Sequence, residues 1–192
     1  MRYMERFKER FSSRPVFSIT DASLFLTGLG ASKGYVYLLI SNLLKKGLIK
    51  KIKRGVYTFH DDPTLSGFAF SPSYHGLQDA LSLLDLWDQE TNTVLMTPLK
   101  VRIGKRKLLG APVFIHRIDR RMFFGYSAIR YFDFWIQVSD VEKTLIDFVY
   151  FNEPLQPDVL EEMRKRIDRE KLESYLERCP ARVRKKVLSL LD

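Results

Sequence analysis

Apolar positions in the first sixty residues recur at helical spacing, then alternate, then recur again. Met4, Phe7 and Phe11 stand at i, i+3 and i+7, which predicts one face of a first helix stopped by Ser12-Ser13-Arg14-Pro15. Val16-Phe17-Ser18-Ile19 is short and β-like. Phe25, Leu26 and Leu29 supply the apolar face of a second helix, with Thr20 as the expected cap and Asp21 near its positive end. Gly28 and Gly30 close that helix. Ser32 is the expected cap of a third helix, which runs to about Lys46 and is ended by Gly47. Two β-like runs follow, Leu48–Ile52 and Val56–Phe59, with Lys53-Arg54-Gly55 as a hairpin tip.

His60-Asp61-Asp62-Pro63 breaks the pattern and divides the chain into expected domains at 1–62 and 63–192. Ser71 and Pro72 fit the cap and first position of a helix that carries Leu77, Leu81 and Leu84 on one face. Strands are expected at Thr93–Thr97, Lys100–Ile103, Val113–His116 and Phe134–Val138, with Gly104-Lys105-Arg106-Lys107 as an exposed hairpin. Ser139-Asp140-Val141-Glu142 reads as a capping box, Ser at the cap and Glu three later. It opens a helix with Val141, Leu145, Phe148 and Val149 on one face. Charged amphipathic helices finish the chain, with Pro180 near the start of the last. The expected fold class is α+β: a winged helix-turn-helix, then an α/β domain with a mixed sheet and C-terminal helices.

Charge sharpens this division. The chain has 192 residues and a formal net charge of +9. Residues 1–59 hold twelve basic and three acidic side chains, while residues 60–192 hold twenty of each. The excess therefore belongs to the first third, which favours a polyanionic partner for it. The single cysteine, Cys179, excludes an intramolecular disulfide and a cysteine-based zinc site. No apolar run approaches the roughly 18 residues that span a membrane, and the first residues do not resemble a signal peptide. A cytoplasmic protein with no membrane partner is expected.

In a winged helix-turn-helix the third helix turns its apolar side to the first two and its polar side to the major groove. At 100° per residue, Val36, Ile40 and Leu43 fall on one side, and Gly34, Leu38, Ser41, Asn42 and Lys45 on the other. Tyr35 and Tyr37 flank the outer face. Ser41 and Asn42 suit base edges or phosphates, and Lys45 suits a phosphate. Lys33 adds charge at the helix start. Leu38 suits either a thymine methyl or a neighbouring domain. Lys50, Lys51, Lys53 and Arg54 make a dense positive wing that can straddle a phosphate backbone or enter the minor groove.

Three stretches carry a family resemblance: Leu48 to Tyr57 in the wing, Tyr74-His75-Gly76-Leu77, and Val138 to Asp147. Together they resemble the AbiEi-type antitoxins of type IV toxin–antitoxin systems. The resemblance implies binding to inverted repeats in the protein's own promoter through the winged domain. It implies a C-terminal α/β domain that counters a nucleotidyltransferase-like toxin without a stable complex. By position it implies Lys33, Tyr37, Ser41, Lys45, Lys53 and Arg54 as DNA contacts.

Catalytic signatures are missing from the sequence. None of His60, His75 and His116 has a second metal-ligating residue at a characteristic spacing. His75 is expected to be a packed or capping histidine. No phosphate-binding glycine loop, serine elbow or acid-x-Lys nuclease pair occurs. The expectation is a non-enzymatic transcriptional repressor with no cofactor, no metal and no catalytic residue. A ligand-sensing winged regulator and a nucleic-acid-processing enzyme are the alternatives. Tyr74, Trp87, Phe114, Tyr126, Tyr131, Phe132, Phe134 and Trp135 make the second domain aromatic-rich, which suits a core or an interaction surface. Arg117, Arg120, Arg121 and Arg130 lie near them, either as a phosphate-contacting patch or as part of a mixed surface.

Overall fold

The computed structural model describes residues 2–191 and divides the chain into two compact units. The first runs to Ala69, past the Asp62-Pro63 break, and takes in Lys107–Ala111; the second comprises Phe70–Arg106 and Pro112–Asp192.

The first unit follows the order α1 (Arg2–Phe11), β1 (Phe17–Ser18), α2 (Ile19–Gly28), α3 (Lys33–Lys45), β2 (Lys50–Lys53), β3 (Val56–Thr58). Its three strands lie in the order β1-β3-β2, and both pairings are antiparallel. This is the winged helix-turn-helix arrangement. Phe7, Phe11 and Phe17 are buried together with Leu26, Val36, Ile40 and Leu43, so the periodic apolar positions converge on one core. Phe7 and Phe17 meet edge to face at 5.3 Å between centroids, a geometry aromatic pairs prefer.

The second helix is capped earlier than the sequence pattern suggests. Ser18, not Thr20, is the cap: its Oγ accepts from the Asp21 amide at 3.0 Å, and Asp21 Oδ2 accepts from the Ser18 amide at 2.9 Å. The reciprocal box satisfies two otherwise orphaned donors and so wins the helix start. The hydroxyl and amide of Ser18 hold the Asp21 carboxyl below its usual range.

The second unit is built on a mixed six-stranded sheet in the order β6-β7-β5-β4-β9-β8, of which the β6–β7 turn, Lys107–Ala111, is counted with the first unit. Its elements are β4 (Tyr74–His75), α4 (Leu77–Leu83), β5 (Thr93–Thr97), β6 (Gly104–Leu108), β7 (Ala111–Arg117), β8 (Tyr126–Tyr131), β9 (Phe134–Ser139), α5 (Val141–Phe151), α6 (Pro157–Arg166), α7 (Arg169–Leu176) and α8 (Ala181–Leu191). β5 runs parallel to β7, and β4 parallel to β9; β8 and β9 form an antiparallel hairpin. The fold is therefore mixed α+β with C-terminal helices, as the sequence pattern implies.

Several local expectations are corrected. Ser71 and Pro72 do not open a helix, because Tyr74 and His75 pair with Met96 and Leu95 in the sheet; the helix starts after Gly76. Lys100–Ile103 is not a strand: the Val101 amide bonds back to the Leu99 carbonyl at 3.0 Å, a turn that precludes extended pairing. The strand lies later, at β6. The β8 strand has no counterpart in the predicted elements.

The cap of α5 is Asp140, whose Oδ1 accepts from the Lys143 amide at 2.8 Å. Ser139 still belongs to β9 and pairs with Tyr126, and its hydroxyl meets Thr144 Oγ1 at 2.8 Å. Glu142 is not a capping-box partner. It accepts from the Asp168 amide at 2.8 Å and pairs with Lys171 at 2.8 Å, fastening α5 to the start of α7.

Eight consecutive α5 residues, Glu142 to Val149, are buried. Lys143 and Asp147 form an ion pair inside this helix with both side chains fully enclosed. Asp147 also accepts from the Tyr74 hydroxyl at 2.8 Å, and the Lys143 ammonium lies 5.0 Å from the Phe124 ring centre. Burial lifts the Asp147 carboxyl above its usual range despite the Lys143 charge. Gly125 closes over the lysine: its φ is +69°, and a Cβ there would stand 2.8 Å from Lys143 Cβ and from the Tyr175 ring. His75 is packed, with Nδ1 2.6 Å from Asp79 Oδ2, which also accepts from the Val94 amide.

Candidate nucleic-acid interface

Helix α3 is set by its start. Ser32 Oγ accepts from the Tyr35 amide at 3.2 Å, and the α2–α3 turn closes with the Ala31 amide on the Leu26 carbonyl at 3.0 Å. Val36, Leu39, Ile40 and Leu43 are buried, which fixes the rotation of the helix about its axis. The other side is a single stripe: Gly34, Tyr37, Leu38, Ser41, Asn42 and Lys45, at i, i+3, i+4, i+7, i+8 and i+11, are all exposed, as is Lys33 at the helix start.

Two members of that stripe are large and apolar. Tyr37 is 66% exposed and Leu38 58%. Tyr35 is placed differently: it is half-buried and packs on Tyr3 with ring centres 5.4 Å apart, turned from the stripe towards α1.

The wing is held at both ends. Ile52 is buried between exposed Lys51 and half-buried Lys53, so the central strand residue anchors while its neighbours face away. Gly55, at φ +75°, makes the turn next to exposed Arg54, and its carbonyl accepts from the Ile19 amide at 2.8 Å. Thr58 Oγ1 donates to the Pro15 carbonyl at 2.7 Å. Lys50 is drawn into an ion pair with Asp61 at 2.5 Å, while Lys51 and Arg54 are exposed on the wing.

The electrostatics of this surface are one-sided. No Asp or Glu occurs between Asp21 and Asp61, a stretch that includes all of α3 and the wing. Asp21 itself is bound up in the α2 cap. Sequence reasoning did not single out Lys46, which is exposed just after the last turn of α3; its place at the helix end was the only available signal. Among the described residues, no group of three or more His, Cys, Asp or Glu side chains could hold a metal ion. No described helix is long and apolar enough to cross a membrane.

No family model matches the chain, and no curated protein matches it. Among solved structures, the crystal structure of the RV2827C protein from Mycobacterium tuberculosis is similar, with a TM-score of 0.65 and 17% sequence identity. The alignment covers 92% of this chain and 71% of that one. The likeness at this identity is one of fold, and it extends over both units.

Proposed function

We propose that this protein is a sequence-specific DNA-binding transcriptional regulator, of the autorepressing antitoxin kind that its sequence resembles. The observation that carries the reading is the exposed α3 stripe. It offers donors and acceptors of base-reading type at Ser41 and Asn42, phosphate-binding lysines at both ends of the helix, and two large side chains left uncovered by the fold. The stretch from α3 through the wing carries no acid of its own, and its excess of lysine and arginine adds an attractive field for phosphate.

In this account α3 enters the major groove, with Ser41 and Asn42 on base edges and Leu38 against thymine methyls. Lys33 and Lys45 hold phosphates, while Lys51, Lys53 and Arg54 carry the wing along the backbone. The second unit works through its surface rather than by catalysis, and a nucleotidyltransferase-like toxin is its functional counterpart.

The test is fluorescence anisotropy of the full chain with a labelled random-sequence duplex over a range of salt. With about five phosphate contacts per protomer, log K falls against log salt with a slope of roughly −4 to −5. Binding that is absent, or indifferent to salt, removes the reading.

A further inference from the structure

A second basic feature lies on the unit whose charge otherwise balances. The parallel strands β5 and β7 end side by side, Thr97 opposite Arg117. The Ile118 amide bonds to the Thr97 carbonyl at 3.1 Å and ties the two ends together. The segments that follow these strands, with Tyr150 of α5, line a cavity of about 650 Å³. A neighbouring cavity of about 390 Å³ shares Asp119, Arg121 and Tyr150 with it and reaches Arg178. The two form one groove.

Five cations border this groove: Lys100, Arg117, Arg120, Arg121 and Arg178. None of them has a carboxylate at ion-pair distance among the described residues. The one acid among them, Asp119, spends an oxygen on the Arg121 amide at 2.8 Å. Arg178 lies 4.1 Å from the Phe124 ring centre, a contact that orients the guanidinium without neutralising it. Unneutralised cations around one concavity repel each other, and a bound anion relieves that repulsion.

Position agrees with charge. The groove opens beyond the carboxyl ends of two adjacent parallel strands, and a cavity of this size suits a small molecule. We propose that the groove binds a nucleotide-sized molecule carrying two or more phosphates. Arg117, Arg120 and Arg121 grip phosphate oxygens in their paired-donor geometry, and Tyr150 with Leu99 walls the rest of the ligand. Duplex DNA fits less well: residues 60–192 hold twenty acids and twenty bases, so no broad field extends beyond the groove to follow a backbone. The cavity beside His116 is a built-in contrast, lined by Trp87, Phe114, Glu90 and Glu153 and by no lysine or arginine among the described residues.

Isothermal titration of the full chain with ATP, inorganic tripolyphosphate and adenosine, at physiological ionic strength and without metal, tests the proposal. ATP and tripolyphosphate are expected to bind and adenosine not to. Arg117→Gln with Arg121→Gln is expected to weaken both phosphate compounds by at least about tenfold. The wing variant Lys53→Ala with Arg54→Ala is expected to leave them unchanged. Both arginines are exposed, so an unaltered melting temperature confirms that the groove variant is folded. Failure of both phosphate compounds to bind overturns the proposal, as does loss in the wing variant instead of the groove variant. A groove variant that loses duplex DNA affinity while keeping ATP affinity overturns it in favour of a DNA contact.

Discussion

Helices α3 and α5 have similar lengths and opposite fates. α3 buries four of its thirteen residues and presents a stripe that includes a tyrosine and a leucine to water. α5 buries eight residues in a row, among them a glutamate, a lysine and an aspartate. In α5 the polar groups are consumed: Asp147 serves Lys143 and Tyr74, Thr144 serves Ser139, and Glu142 serves Asp168 and Lys171. In α3 the outward side chains of Ser41, Asn42 and Lys45 are not spent on the fold. Polar chemistry that is satisfied within a core specifies structure, whereas polar chemistry left outward is free to recognise a partner. The comparison predicts that α5 substitutions cost stability and that α3 and wing substitutions cost binding.

The largest expected effect comes from splitting the buried pair. Lys143→Ala leaves Asp147 enclosed without its counter-charge and is expected to cost about 3–5 kcal/mol in urea denaturation. A loss below about 1 kcal/mol contradicts the enclosed geometry. The double variant Lys143→Met with Asp147→Asn removes both charges, keeps an acceptor for the buried Tyr74 hydroxyl and is expected to recover most of the loss.

At the wing, Lys53→Ala with Arg54→Ala is expected to weaken all duplex sequences alike, with the salt slope shallower by about 1.8 for two lost phosphate contacts. Its melting curve stays close to that of the parent. A sequence-selective loss assigns base reading to the wing and breaks the division of labour.

Ser18→Ala removes one half of the α2 capping box and is expected to cost about 1 kcal/mol. DNA affinity per folded molecule is expected to be unaffected, since the cap lies outside the α3 stripe and the wing. Reduced affinity in the fully folded variant contradicts that assignment.

The smallest effect is a pH dependence at Glu142. Burial works to raise its carboxyl, but the Lys171 ammonium and the Asp168 amide outweigh burial and hold it below the usual range. A depressed carboxylate contributes stability above its unfolded value, about 4.3, and loses it as pH falls through the folded value. The melting difference between the parent and Glu142→Gln is therefore expected to be largest near neutral pH and to close in acid. Asp147, whose carboxyl burial raises, runs the other way but is common to both proteins and cancels in the difference. A difference that is flat with pH contradicts the pairing.

The two helices also explain what could be read from the sequence. α3 was legible because one side meets water and the other a core, so burial imposes the 3.6-residue period on residue type. The wing was legible from Gly55 and its flanking basic residues. α5 was legible as a helix from the same period, but the burial of its polar side was not: Lys143 and Asp147 stand at i and i+4, the spacing of an ordinary surface pair, and only the enclosure supplied by Tyr74, Phe124 and Gly125 makes them core residues. Ser139-Asp140-Val141-Glu142 matches a capping box in spelling, yet strand β9 claims Ser139 and moves the cap to Asp140. The five-cation groove was legible in part: Arg117, Arg120 and Arg121 stand together in the sequence as a candidate phosphate patch, whereas Lys100 and Arg178 come from other segments that only the sheet and helices bring to them, and Arg130 does not line the groove.

The central claim is that α3 reads sequence while the wing supplies affinity. The most direct test enriches genomic duplex fragments on the full chain, then titrates the best sequence and a scrambled one against the parent and Asn42→Ala. The account predicts that the parent prefers the enriched sequence and that Asn42→Ala loses about 1–3 kcal/mol of that preference. Affinity of the variant for the scrambled duplex should stay nearly unchanged. No enriched sequence, or a preference that survives Asn42→Ala and Ser41→Ala together, contradicts it.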